Sequence, residues 1–192
     1  MAAGRAAEPG GRLGGAARST PLRAASRAQL RDAAGGLEQA TLVLVKPDAI
    51  RRGLVGAALS RLEPLGLSII GAKVMPVSQE LAETHYRHIR NKPFFRSTVA
   101  HLRGELHGVP YVLAFVFWGR DAVARVREAT GATNPEQADP MSIRGALGRN
   151  TADGCMENVL HTSSDLADAE REITLWFKPH ELLAPPAPAA PR

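Results

Sequence analysis

Three short stretches of the sequence put phosphate-binding side chain types at the ends of regular segments. Lys46-Pro47-Asp48 follows directly on an apolar run, Arg127 and Arg144 flank a Thr133-Asn134-Pro135 turn, and Asn158-Val159-Leu160-His161 closes a short β-prone segment. A lysine, two arginines and a hydroxyl around one loop suit a polyphosphate. A guanidinium fork binds phosphate oxygens two at a time, and an ammonium adds a point charge. A histidine beside them offers a ring nitrogen as a nucleophile. Taken singly, His161 reads equally as a satisfied structural histidine and Arg127 as a solvated helix residue; only their spacing to the other groups moves them. Cys155 is the sole cysteine, which excludes an internal disulfide and the paired spacing of a zinc site, and a reducing compartment fits best.

Holding these groups together requires short strands and helices in a definite order. Thr41 to Lys46 is an apolar β-prone run stopped by Pro47, and Leu54, Val55, Ala58, Leu59 and Leu62 then recur at helical spacing until Pro64 and Gly66. Leu67 to Met75 alternates as a strand, and residues 78 to 90 and 94 to 103 predict helices on either side of Asn91 and Pro93. Val112 to Trp118 is the most hydrophobic run and predicts a buried central strand, followed by a helix over 121 to 130 with Asp121 as its cap. Residues 131 to 154 are rich in Gly, Pro, Asn and Asp and predict a long ordered loop of the kind that carries function. A strand near 156 to 161 and a helix over 166 to 177 complete the set. This order predicts one α+β domain, a ferredoxin-like antiparallel four-stranded sheet covered by helices.

The chain has 192 residues and a net charge of +5. Residues 1 to 38 carry six arginines against Glu8, Asp32 and Glu38, leaving +3 there and only +2 on the remainder, too little for a body that coats nucleic acid. With almost no large apolar residues, 1 to 38 predict a disordered tail, read either as an organelle transit peptide or as a neutral Ala/Arg/Gly-rich extension. The expected location is cytoplasmic, with a mitochondrial or other organelle matrix as the alternative through residues 1 to 38. Residues 183 to 192 are Pro/Ala-rich and predict an unfolded tail. No apolar run approaches the roughly 18 to 20 residues of a membrane-spanning helix.

From about 41 to 180 the sequence resembles the nucleoside diphosphate kinases. The blocks that carry the resemblance are VKPDAIRRGLVG at 45 to 56, HYRHIRNKPFF at 85 to 95, GATNPEQADPMSIRG at 131 to 145, ENVLHTSSD at 157 to 165 and AEREITLWF at 169 to 177. The resemblance implies a kinase domain over 39 to 182 that moves the γ-phosphate of an NTP, mainly ATP, to an NDP in a ping-pong cycle. His161 matches the histidine that accepts the phosphate, and Glu172 the carboxylate that orients it. Lys46, Tyr86, Arg127, Thr133 and Arg144 match residues that hold the phosphates, Phe94 the aromatic under the base, and Lys46 and Asn158 contacts to the ribose. Ser163 matches a serine beside the phosphohistidine and is expected among the nucleotide-binding residues. Phe94 reads alternatively as a core anchor and Glu172 as an exposed helix residue. Mg²⁺ is expected to arrive on the nucleotide phosphates, with no protein metal ligands, and a homo-oligomer, hexamer or tetramer built from dimers, is expected.

Two features depart from the family pattern. The string after the histidine is Thr162-Ser163-Ser164-Asp165, with the aspartate displaced by one place. The segments between Phe95 and Val112 and between Arg144 and Asn158 are longer by roughly five and roughly four residues, in loops where such insertions are tolerated. These departures motivate an alternative, an inactive relative acting as a nucleotide-binding scaffold. His85, His88, His101, His107 and His180 read as surface or loop residues, and Arg51 and Arg52 as solvating the start of the first helix.

Overall fold

A computed structural model of the chain describes residues 37–186. The expectations for residues 1–36 and 187–192, including a transit peptide, lie outside the described residues. The central element is β1, Glu38–Val45, which pairs antiparallel with β3, Tyr111–Arg120, on one side and with β6, Leu160–Thr162, on the other. β2, Ser68–Pro76, adds to the outer side of β3, giving a four-stranded antiparallel sheet in the order β2-β3-β1-β6, the expected ferredoxin-like arrangement. Two expected tail boundaries shift: Glu38 opposes Arg120 in the sheet, and Leu183 donates its amide to Ile70.

Why β1 is apolar without a break follows from what covers it. Leu42 and Leu44 face one core, with Val116, Trp118, Leu102, Ile173 and Trp176, while Val43 and Val45 face the other, with Phe117, Leu62, Val126 and Leu160. A strand buried on both faces reads as a continuous apolar run rather than an alternating one. The first core lies under α3 (Gln79–His85), α4 (Phe95–Leu102) and α7 (Leu166–Trp176). The second lies under α1 (Pro47–Arg51), α2 (Val55–Ser60), α5 (Ala122–Thr130) and α6 (Ile143–Leu147).

Several boundaries differ from the sequence reading. The helix expected over 78 to 90 breaks after His85 into a 3₁₀ turn at Arg87–Ile89. Asp121 does not cap α5; it sits in a left-handed conformation and its carboxylate accepts from the Leu37 amide instead. The strand expected near 156 to 161 is two pieces. β5, Met156–Glu157, pairs with β4, Arg149–Asn150, as a separate hairpin, and only β6 joins the main sheet. Asn158 and Val159 make the jump between them, Val159 with a positive φ of 69°.

Candidate active site

His161 sits at the middle of the three-residue strand β6, opposite Leu44 of β1. Its Nε2 lies 2.9 Å from Oε2 of Glu172, on the second turn of α7. An ionised carboxylate only accepts, so Nε2 carries the proton and Nδ1 keeps the lone pair. Glu172 is 1% exposed, which corrects the alternative of an exposed helix residue. It is held from behind: Ser163 Oγ donates to the same Oε2 at 2.8 Å, and Arg171 Nη2 donates to Oε1 at 3.3 Å.

Ser163 is fully buried, and its Oγ also accepts from the Leu42 amide at 3.2 Å. The expectation that it binds nucleotide is therefore corrected: it braces Glu172 and the edge of β1, and Ser164 is the serine that lines the cleft. The displaced Asp165 has a local task as the N-cap of α7, accepting from the Asp168 amide at 2.8 Å. An ordinary helix cap thus explains this departure from the family string.

In front of His161 lies a cleft lined by Lys46, Tyr86, Phe94, Arg127, Thr133, Arg144 and Asn158. They come from separate segments of the chain, brought together by the fold. Lys46 stands just before Pro47 at the start of α1, its ammonium donating to the side-chain Oδ1 of Asn158, and Asn158 Nδ2 donates to the Thr133 carbonyl at 2.9 Å. Arg144, on α6, donates to the backbone carbonyls of Asn158, Gly131 and Leu160 at 3.3, 3.0 and 2.8 Å. Gly131 has φ of 84°, and a Cβ there would lie 2.2 Å from Ser142 Oγ, so only glycine lets α5 end where Arg144 can reach it.

Electrostatics follow from this burial. Desolvation lowers the Lys46 ammonium, partly offset by Asp48, and lowers the Arg144 guanidinium to about 10, which leaves it charged at neutral pH. Burial raises the Tyr86 phenol, helped by Glu172, so its hydroxyl remains a donor. Arg127 and Thr133 are exposed at the mouth. Phe94 is 52% exposed at the start of α4, so it is the neighbouring Phe95, packed against the core, that acts as the anchor.

The sequence reading missed several groups. His85, His101 and His107 are buried rather than at the surface, His85 and His101 in helices and His107 in the turns between α4 and β3. The His85 ring packs edge-on against His161 with centroids 4.3 Å apart, and its Nδ1 accepts from Trp176 Nε1 at 3.1 Å. Desolvation, then the neighbouring His161, pushes His85 well below the usual histidine range, so it is a neutral wedge beside the reactive ring. Asp48 Oδ2 accepts the Val159 amide at 2.9 Å, bracing the strained residue two places before His161. Its place in the Lys-Pro-Asp triplet was the available signal. Arg51 donates to the His107 carbonyl and Arg52 pairs with Glu157 at 3.6 Å, so both tie segments together at the end of α1.

The family model described as nucleoside diphosphate kinase matches residues 39–182. A nucleoside diphosphate kinase of Desulfitobacterium hafniense is 44% identical over 142 residues, spanning 74% of this chain and 89% of that protein. One of Pyrococcus horikoshii is 45% identical over 149 residues, spanning 78% and 91%. Among solved structures, a transition state mimic of the Borrelia burgdorferi enzyme with bound vanadate and ADP superposes with a TM-score of 0.69 at 35% identity, covering 77% of this chain and 91% of that one. The Halobacterium salinarum enzyme in complex with CDP superposes with a TM-score of 0.68 at 38% identity, covering 77% and 92%.

Proposed function

The chain belongs to the nucleoside diphosphate kinase family and is a nucleoside diphosphate kinase, acting on nucleoside tri- and diphosphates, and on that premise we propose that His161 carries the phosphate between them. The observation that supports this reading is the pairing of His161 Nε2 with the buried Glu172 carboxylate, which leaves Nδ1 as the nucleophile facing a cationic cleft.

Nδ1 attacks the γ-phosphorus of an NTP, the bond from that phosphorus to the bridging oxygen breaks, and the electron pair leaves with the NDP. The ring becomes a cation, since Nδ1 now bears phosphorus and Nε2 keeps its proton, and the Glu172 carboxylate stabilises it. A terminal oxygen of a second NDP then takes the phosphoryl group and restores the neutral ring. Lys46, Arg127 and the N–H groups of Arg144 not given to backbone carbonyls hold the phosphates, with Tyr86 and Thr133 as hydroxyl donors. Phe94 offers one exposed ring to any base, and stacking distinguishes bases poorly.

Mg²⁺ supplies charge neutralisation across the phosphate oxygens when it is bound. Asp48, Glu157 and Glu172 are all engaged by His101, Arg149 and His161, at 2.9, 2.6 and 2.9 Å. That donor set fits an ion arriving on the nucleotide better than one caged by protein. We assign the protein to a reducing compartment on its single cysteine, the cytoplasm or, as the alternative, an organelle matrix, and to a homo-oligomer on family resemblance. N-terminal sequencing of the native protein and a solution mass measurement test these two assignments.

Incubation with γ-labelled ATP beside His161→Ala tests the central reading. Acid-labile label on the native chain alone, discharged by GDP, is the expected result; label retained on the variant would overturn His161 as the carrier.

A further inference from the structure

Beside the phosphate cleft lies a second cluster of side chains that phosphoryl transfer does not use. His101 comes from the last turn of α4, His107 from the connection to β3, and Cys155 from the loop of the β4–β5 hairpin. One ligand atom from each lies within 4.8 Å of the others. Cys155 Sγ is 3.8 Å from His101 Nδ1, and the two imidazoles meet edge to face with centroids 4.8 Å apart.

The outward nitrogens of both rings face carboxylates. His101 Nε2 donates to Asp48 Oδ1 at 2.9 Å, and His107 Nδ1 lies 3.7 Å from Glu157 Oε1. The Asp48 hydrogen bond fixes the proton on His101 Nε2, so the Nδ1 lone pair faces Cys155 Sγ, and the Glu157 carboxylate near His107 Nδ1 favours the proton there, leaving the Nε2 lone pair free. His107 is 8% exposed, and its Nε2 is a buried atom with no hydrogen-bond partner among the described residues. A buried polar atom without a partner calls for an explanation, and a bound ion is one.

We propose that His101 Nδ1, His107 Nε2 and Cys155 Sγ bind one Zn²⁺ ion, which clamps the β4–β5 hairpin to the α4–β3 connection with its fourth position open to the cleft. Two imidazoles and a thiolate form a borderline-soft donor set, suited to zinc and unlike the all-oxygen sets of Mg²⁺ or Ca²⁺. Carboxylates behind metal-bound histidines are the usual second layer of such sites. The Cys155 thiol releases its proton to solvent as the Zn–S bond forms. Ligand bonds of about 2.0–2.3 Å in a tetrahedron put donor atoms about 3.5 Å apart, so the widest gap must close by roughly 1 Å, a movement within reach of a surface hairpin. Cys155, Met156 and Leu106 line the same cleft as Phe94, so the clamp sets the position of the rim facing the base. The ligands fall in the two segments that exceed the family pattern, so the site is a feature of this chain rather than of the kinase reaction.

The test uses the full chain stripped of metal with a chelator and titrated with Zn²⁺, and separately with Co²⁺, in excess Mg²⁺. One equivalent is expected, with cobalt giving tetrahedral visible bands and a thiolate-to-cobalt charge-transfer band, and with Zn²⁺ raising the thermal unfolding midpoint. Cys155→Ser should remove the charge-transfer band and weaken Zn²⁺ binding at least ~10-fold, and His107→Asn should weaken it similarly. Both variants should unfold, without metal, close to the metal-free native chain, which separates lost ligation from lost folding. Absence of the charge-transfer band in the native chain would overturn the proposal. So would binding indifferent to both substitutions, or binding lost only in His161→Ala, which would put the ion among His85, His161 and Glu172.

Discussion

Glu172→Gln separates charge from geometry at the phosphate carrier. The carboxylate takes donors from His161 and Ser163 on one oxygen and from Arg171 on the other. Glutamine can leave its carbonyl oxygen where Oε2 stands, so His161 keeps its tautomer and orientation, while the new amide faces Arg171 and loses that contact. A hydrogen bond to a charged group contributes about 1.5–3 kcal/mol against about 0.5–1.5 for a neutral pair. At 1% exposure solvent does little to screen the difference, and the ring bears a full positive charge only once Nδ1 holds phosphorus. Loss of the negative charge should therefore raise the barrier by about 1–1.5 kcal/mol, roughly 5- to 13-fold in the rate of phosphoenzyme formation. Rapid-quench measurement of acid-labile label under single-turnover conditions reads that step directly. Glu172→Ala removes orientation as well and should be slower still. A glutamine variant as fast as the native enzyme, or slower than the alanine variant, would refute the assignment of Glu172 as an electrostatic partner of the ring.

Ser163→Ala should destabilise the fold by about 1–2 kcal/mol in urea unfolding, because it strips one donor from Glu172 and one acceptor from the Leu42 amide. It should lower kcat with KM unchanged; a raised KM alone would mean that the serine touches nucleotide after all. Phe94→Ala should raise KM by similar factors for purine and pyrimidine diphosphates, corresponding to about 1–3 kcal/mol of lost stacking, with stability nearly unchanged at so exposed a position. A loss confined to one base would contradict a simple stacking platform. Stability should also fall with acid in two stages. Burial holds His85 and His101 below the ordinary histidine value of 6.5, so the unfolded chain gains protons first as pH drops past that value. Burial would raise Asp48, but the His101 hydrogen bond, Lys46 and the Val159 amide outweigh it and hold the carboxylate below its ordinary 3.8, so a second loss begins near there. Asp48→Asn, weaker at neutral pH, should lose less in the second stage; denaturant midpoints across pH measure both.

The sheet and most helices were legible because their signals are local. TLVLV at the start, VLAFVFW in the middle and the 3.6-residue pattern after Asp165 survive any environment. What sequence could not show were contacts made by the fold's closure. His85 looks like any helix-end histidine until α7 brings Trp176 and Glu172 against it. Ser163 looks like an active-site hydroxyl until β6 pairs with β1 and turns it inward. Cys155 offers no paired motif, since its neighbours His101 and His107 lie about fifty residues earlier and reach it only through the two long connections.

Asp48 links these parts and explains why the strand before His161 keeps its unusual backbone. A β-branched residue at φ 69° is strained by about 1–3 kcal/mol. The charged hydrogen bond from the Val159 amide to Asp48 Oδ2 contributes about 1.5–3 kcal/mol, enough to hold that conformation. Oδ1 of the same carboxylate holds His101, a proposed zinc ligand. The Val159 carbonyl in turn accepts from the Lys46 amide at 3.0 Å. One buried carboxylate thus connects the hairpin clamp, the phosphate-binding lysine and the segment that aims the nucleophile. Metal bound at His101 draws electron density from the ring and strengthens its Nε2–H donation to Asp48. Zn²⁺ should then protect the Val159 amide from hydrogen exchange in the native chain, and lose that effect in Cys155→Ser. Equal protection in both would disconnect the clamp from the nucleophile.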